Sequence, residues 1–371
     1  MRHGVVRLLV GWGSVIAFLL FGGAWLADLG SAWKSAGLFF WIFAVILWCS
    51  FGVIEHADHL AEKLGEPLGT LILTLSIVLI EVVLISAVML GEKAAPTVGR
   101  DAMFSVMMII LNGIVGLGLL IGGWRHKEQS YQLPGAAAYL AMIIPLTVIA
   151  LVLPNLTTST SGGTLSTFQA IAFSIFTIAL YVIFLGIQIG RHRSFFILQQ
   201  AGDGAAGIVA GSHEPTEKIS PRELGWHTLL LVLNMLPIVL LSKQLAKLID
   251  HGIAVLDAPV ALSGFLIAFI VFTPESLTAL RAAYANDLQR TVNLCLGAFV
   301  STIGLTLPAV LLIGLLTGRT VVLGVDPSGV ALIAVTLLLS MLTFSGPRTT
   351  MLEGAVHLLV FFVYLTLMFS P

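Results

Sequence analysis

Long apolar runs broken by short polar interruptions dominate the chain. Eleven stretches long enough to span a bilayer fall roughly at 5–27, 35–54, 67–90, 101–123, 134–153, 164–190, 224–242, 258–281, 291–317, 328–344 and 351–369. The first begins MRHGVVRLLV, the basic start of a signal peptide, but its apolar run of about 20 residues is long enough to span and predicts a retained helix. The longest polar segment, Arg191 to Glu223, contains AGDGAAGIVAGSHEP and reads as a flexible connector between two halves. The division expected is an N-terminal helix in 1–34, a five-helix half in 35–190, the connector in 191–223 and a second five-helix half in 224–371.

Composition agrees with this pattern. Of 371 residues 58% are hydrophobic and 10% charged, against about 25% charged in soluble domains. The expected fold class is therefore an all-α polytopic membrane protein whose main partner is the lipid bilayer. A net charge of −1 implies no polybasic surface and no nucleic-acid partner. The two cysteines, Cys49 and Cys295, lie in apolar runs and exclude a disulfide framework or a cysteine zinc site. With the N-terminus inside, the inner loops hold most of the 18 Lys and Arg, which predicts a cytoplasmic N-terminus in a bacterial inner membrane.

Two carboxylates break the apolar pattern. Glu81 lies within LGTLILTLSIVLIEVVLISAVML and Glu275 within APVALSGFLIAFIVFTPESLTAL, with no Lys or Arg in either core. A carboxylate at the centre of a spanning helix costs from about 2.5 kcal/mol upward, and such groups usually serve an ion pathway. Glu81 is on the third run and Glu275 on the eighth, so their helices cross in opposite directions. Gly69-x-Leu71-Ile72 precedes Glu81 by 12 residues and Gly264-x-Leu266-Ile267 precedes Glu275 by 11. Span count and these echoes predict two inverted five-helix repeats, an architecture that places a site at the midplane between the halves.

In a low-dielectric site protons and a cation compete for the same carboxylate oxygens. Calcium takes about 6–8 oxygen ligands, so hydroxyls, carbonyls or water must complete its shell. Thr74 and Ser76 flank Glu81, Thr273 and Ser276 flank Glu275, and Asn112, Ser301 and Thr302 lie on the spans that follow. Pro274 cannot donate the helical bond to the Ile270 carbonyl and frees it near Glu275. For each hydroxyl the competing reading is a bond to the carbonyl four residues back, and for Asn112 it is helix-to-helix adhesion. His56 and His59, in Glu55-His56-Ala57-Asp58-His59, predict an interfacial polar turn or a cytoplasmic mouth that gathers cations or senses pH. Glu353 and His357 read as a local pair one turn apart.

The stretch from Gly65 to Ser76, running into Glu81-Val82, resembles the first α-repeat of the bacterial calcium/proton exchangers of the calcium:cation antiporter superfamily. Phe272-Thr273-Pro274-Glu275-Ser276, followed by Gly297-x-x-x-Ser301, resembles the second. The resemblance implies that Glu81 and Glu275 bind the cation and exchange it for protons. Where better-known relatives carry Gly-Asn-x-x-Glu, this chain has Ile77–Ile80 before Glu81 and Val271–Pro274 before Glu275. The expectation is a secondary antiporter that exchanges Ca²⁺, or alternatively Na⁺ or K⁺, for H⁺, with no cofactor and no enzymatic reaction. A cation channel or an intramembrane enzyme is the more distant alternative, and His-Glu-x-x-His is absent.

Overall fold

The computed structural model describes residues 2–64, 68–91, 95–196 and 221–370. Eleven helical rods follow one another: α1 Arg2–Ala27, α2 Ala32–Leu64, α3 Leu68–Met89, α4 Val98–His126, α5 Leu133–Asn155, α6 Thr167–Gly186, α7 Pro221–Leu256, α8 Ala261–Tyr284, α9 Leu288–Thr317, α10 Pro327–Thr343 and α11 Met351–Phe369. Nine are long and apolar enough to cross a membrane, and the apolar parts of α3, Thr74–Met89, and of α10 are shorter. Local chemistry sets several ends. Ser166 with Gln169 and Thr350 with Glu353 form capping boxes at the starts of α6 and α11. Asp326 caps α10 ahead of Pro327, and Gly318, at φ 68°, closes α9 in the left-handed conformation.

The loops sort into two faces. On one, Gln129 pairs with Thr349 in a two-stranded ladder, and its side chain donates to the Ala283 carbonyl at 2.8 Å. Asn293 donates to the Phe196 carbonyl on the same side. The loops after α4, α6, α8 and α10 thus share this connector face. On the other, Val322 N donates to Pro96 O, Leu323 N to Gly163 O, and Arg319 to Met89 O. The loops after α3, α5 and α9 thus share the opposite face. Strict alternation makes α3 and α8 antiparallel, as their odd separation predicts.

Two helices overrun their apolar stretches. The Glu55–Glu62 segment, expected as a polar turn, is helical, and α2 runs on to Leu64. Val53, Ala57 and Leu60 continue a buried stripe while Glu55 and Asp58 face outward, so mean hydropathy falls though the helix does not end. Helix α7 extends to Leu256 for the same reason, with Leu245, Leu248 and Ile249 buried between exposed lysines. Most of the 191–223 connector lies outside the described residues, as do Lys93 and Gly65–Pro67.

Helices α3, α4, α8 and α9 pack against one another around the middle of the molecule. Ile80, Leu84, Val271, Phe272, Phe299 and Ile303 there are almost fully buried. Close approach of α4 and α8 depends on Gly264, where a Cβ would stand 2.5 Å from the Ala102 nitrogen. Helix α4 carries a π-helical segment at Met108–Ile114 in the same layer. Such segments re-aim side chains by one position and concentrate at functional places.

Candidate functional site

Glu81 is 0% exposed. The Thr302 hydroxyl of α9 donates to its Oε2 at 2.9 Å, while Oε1 has no hydrogen-bond partner. Thr306, one turn along α9, faces the same carboxylate without reaching hydrogen-bond geometry. Glu275, one helix away on α8, is half-buried, and its Oε2 is sealed from solvent with no partner. A crevice of about 10 Å³ beside it is lined by Phe272, Ser276, Ile110, Ile114 and Cys295, room for about one water. The charges that act on Glu275 are Asp58 and Glu81, both acidic. Among the described residues neither glutamate has an ion-pair partner. Two buried carboxylate oxygens are thus left with open lone pairs, an arrangement chemically suited to a proton or a cation.

Asp58, exposed at the connector-face end of α2, is one of the charges that act on Glu275. On the opposite face a groove of about 810 Å³ runs between α3 and α7, past Ser86, Ser242 and Asp250, and Glu81 is not part of its wall.

The sodium/calcium exchanger protein family model matches residues 34–190 and 226–370, which is most of the chain. The chain belongs to that family. It is 37% identical over 326 residues to the sodium-potassium/proton antiporter ChaA of Escherichia coli, spanning 88% of this chain and 87% of that one. It is 37% identical over 322 residues to a putative ionic transporter, y4hA, of Sinorhizobium fredii, spanning 86% and 85%. The solved structure of native YfkE superposes with a TM-score of 0.74 at 15% identity, covering 98% of this chain and 100% of that one. The fold is thus that of polytopic exchangers, and the protein is an integral membrane transporter of a class whose work is cation exchange, not enzymatic catalysis.

Within this exchanger the expected ligands separate into those at the carboxylates and those elsewhere. Thr302 meets Glu81, and Ser276 lines the Glu275 crevice. Ser76 donates to Ile72 O at 2.7 Å, Thr273 to Phe269 O at 2.5 Å and Ser301 to Ala298 O at 2.8 Å, each occupied with its own helix. Thr74 faces the Tyr181 hydroxyl of α6. Pro274 sits inside a continuous α8, directly before Glu275. Asn112 is 0% exposed and turns toward α10 and α11, donating to Thr336 Oγ1 at 2.8 Å and accepting from His357 Nδ1 at 3.1 Å. His357 Nε2 in turn accepts from Thr343 at 2.9 Å. The expected Glu353–His357 pair therefore separates: Glu353 caps α11 through Thr350, because the first-turn amides compete for its carboxylate. His56 and His59 face α7 and meet His227 there.

Thr306 and Asp58 were not among the residues expected at the carboxylates. Thr306 is four residues after Thr302, so one helical repeat from a known contact would have found it. Asp58 was in view within the acidic and histidine cluster, but its reach to Glu275 depends on how α2 packs against α8.

Proposed function

We propose that this exchanger is a cation/proton antiporter in which Glu81 and Glu275 carry the cation and protons alternately, with Ca²⁺ as the leading cargo. The observation that carries the reading is the pair itself: two acidic groups on antiparallel helices, the Glu81 charge acting on Glu275, with no basic ion-pair partner among the described residues and with unfilled lone pairs. Two negative charges are neutralised either by one calcium ion or by two protons, and an uncompensated pair in this surrounding is costly. Exchange of one Ca²⁺ for two H⁺ follows from that balance. Thr302, Thr306 and Ser276 supply further oxygens, and water completes the shell.

In this reading the two five-helix halves, α2–α6 and α7–α11, rock about the carboxylates in the manner of inverted-repeat transporters. Protons arriving from outside release the cation, and the higher pH of the cytoplasm strips the protons so that the site reloads. The N-terminus and the connector face are cytoplasmic, and the membrane is the bacterial inner membrane, in keeping with the excess of Lys and Arg on that face.

A second reading, Na⁺ or K⁺ in place of Ca²⁺, is favoured by one observation. The crevice at Glu275 is walled largely by Phe272, Ile110 and Ile114, leaving few fixed oxygens for a divalent ion; the sodium-potassium/proton antiporter of Escherichia coli is also 37% identical to the chain. Everted vesicles challenged in turn with Ca²⁺, Na⁺ and K⁺ separate the readings by which ion collapses an imposed pH gradient. Glu81→Gln and Glu275→Gln should each abolish the response, and exchange retained by both variants would remove the glutamates from the mechanism.

A further inference from the structure

A second cluster stands apart from the carboxylate pair, where the connector-face ends of α2 and α7 meet. His59 comes from α2, Glu223 and His227 from α7, and their ligand atoms lie within 4.8 Å of one another. His59 Nε2 is 3.5 Å from Glu223 Oε1, and the His59 and His227 rings are 3.9 Å apart between centroids. Two observations set the cluster apart from a plain surface ion pair. His59 Nε2 is closed off from solvent and makes no hydrogen bond. His56 Nδ1 stands 3.2 Å from His227 Nδ1, the kind of outer contact that fixes the orientation of a ligating ring.

We propose that His59, His227 and Glu223 form a binding site for a zinc-class divalent cation, distinct from the transport site. Two imidazoles and one carboxylate are a common zinc donor set, leaving the fourth position to water. Tetrahedral zinc with bonds of about 2.0–2.1 Å places its ligand atoms about 3.4 Å apart. All three residues are half-buried, so side-chain rotation suffices to draw the atoms in. Lys63 Nζ, 3.9 Å from Glu223 Oε1, is the group a bound ion displaces. Calcium, which selects oxygen, is a poor match for the imidazoles, so this is not a waiting place for that cargo. Because α2 and α7 belong to different halves, an ion here ties the halves together. It also sits one residue from Asp58, whose charge reaches Glu275.

The site is tested on tag-free full-length protein in detergent, by zinc titration against a chromogenic chelator and by the visible absorption of cobalt(II). The expected result is one zinc per chain and the spectrum of four-coordinate cobalt. His59→Ala and His227→Ala, with His59→Gln as the size-conserving alternative, should each weaken zinc at least about tenfold while eluting as monodisperse protein. The Glu81→Gln, Glu275→Gln double variant should bind zinc unchanged, which separates this site from the transport reading. Zinc binding that survives the histidine variants, or that disappears with the two glutamates, overturns the proposal.

Discussion

At the residue scale, Thr302 is the side chain whose removal speaks most clearly. Among the described residues its hydroxyl is the one hydrogen-bond donor to Glu81, and a bond to a charged group contributes about 1.5–3 kcal/mol. Thr302→Val keeps the shape and deletes the donor, so KM for the cation should rise by about tenfold or more, measured in vesicles at fixed pH. Ser301→Ala, one residue away, removes only a bond to Ala298 O and should leave KM unchanged. Both residues stood as candidate ligands in the sequence, and nothing in composition chooses between neighbours. The choice is made by helical phase, since 100° of rotation separates a side chain facing Glu81 from one facing its own backbone. The same applies to Ser76 and Thr273, whose hydroxyls close onto carbonyls four residues back.

At the element scale, Asn112 distinguishes adhesion from ligation. Its amide joins the π-helical part of α4 to Thr336 of α10 and His357 of α11, with all three side chains fully buried. Asn112→Leu strands the His357 and Thr336 partners at about 1–3 kcal/mol each, so the melting temperature of the solubilised protein should fall by several degrees. KM for the cation should stay within twofold of wild type, by the same estimate that no ligand is lost. A large rise in KM with unchanged melting would place Asn112 at the ion instead. Gly264 makes a companion case: a Cβ there meets the backbone of Asp101 and Ala102 at 2.5 Å. Gly264→Ala should cost about 1–3 kcal/mol by forcing α8 away from α4.

Much of this element layout was legible in the sequence. Apolar length and the odd separation in span order, from third to eighth, between Glu81 and Glu275 predict eleven rods and antiparallel α3 and α8. The polar ends of α2 and α7 were not legible. A hydropathy average responds to Glu55, Asp58, Lys243 and Lys247, whereas helix continuity rests on the stripes through Val53, Ala57 and Leu60 and through Leu245 and Ile249. For the same reason the meeting of His59 with His227 could not be read from a chain in which they stand 168 positions apart.

At the scale of the whole molecule, the proposed antiport rests on a single exchange site shared between the halves. Neither glutamate has an ion-pair partner among the described residues, and their helices run in opposite directions through one packed layer. A pore would also accommodate acidic groups, but a pore passes ions only downhill. The most direct test therefore reconstitutes the protein in proteoliposomes loaded with Ca²⁺ equal to that outside and imposes a pH gradient. The proposed antiport requires that the gradient drive Ca²⁺, or in the second reading Na⁺ or K⁺, against its own concentration difference, that collapsing the gradient stop the movement, and that Glu81→Gln and Glu275→Gln each abolish it. Ion movement that only ever runs downhill whatever the pH gradient, or uphill movement that persists in both variants, would contradict it.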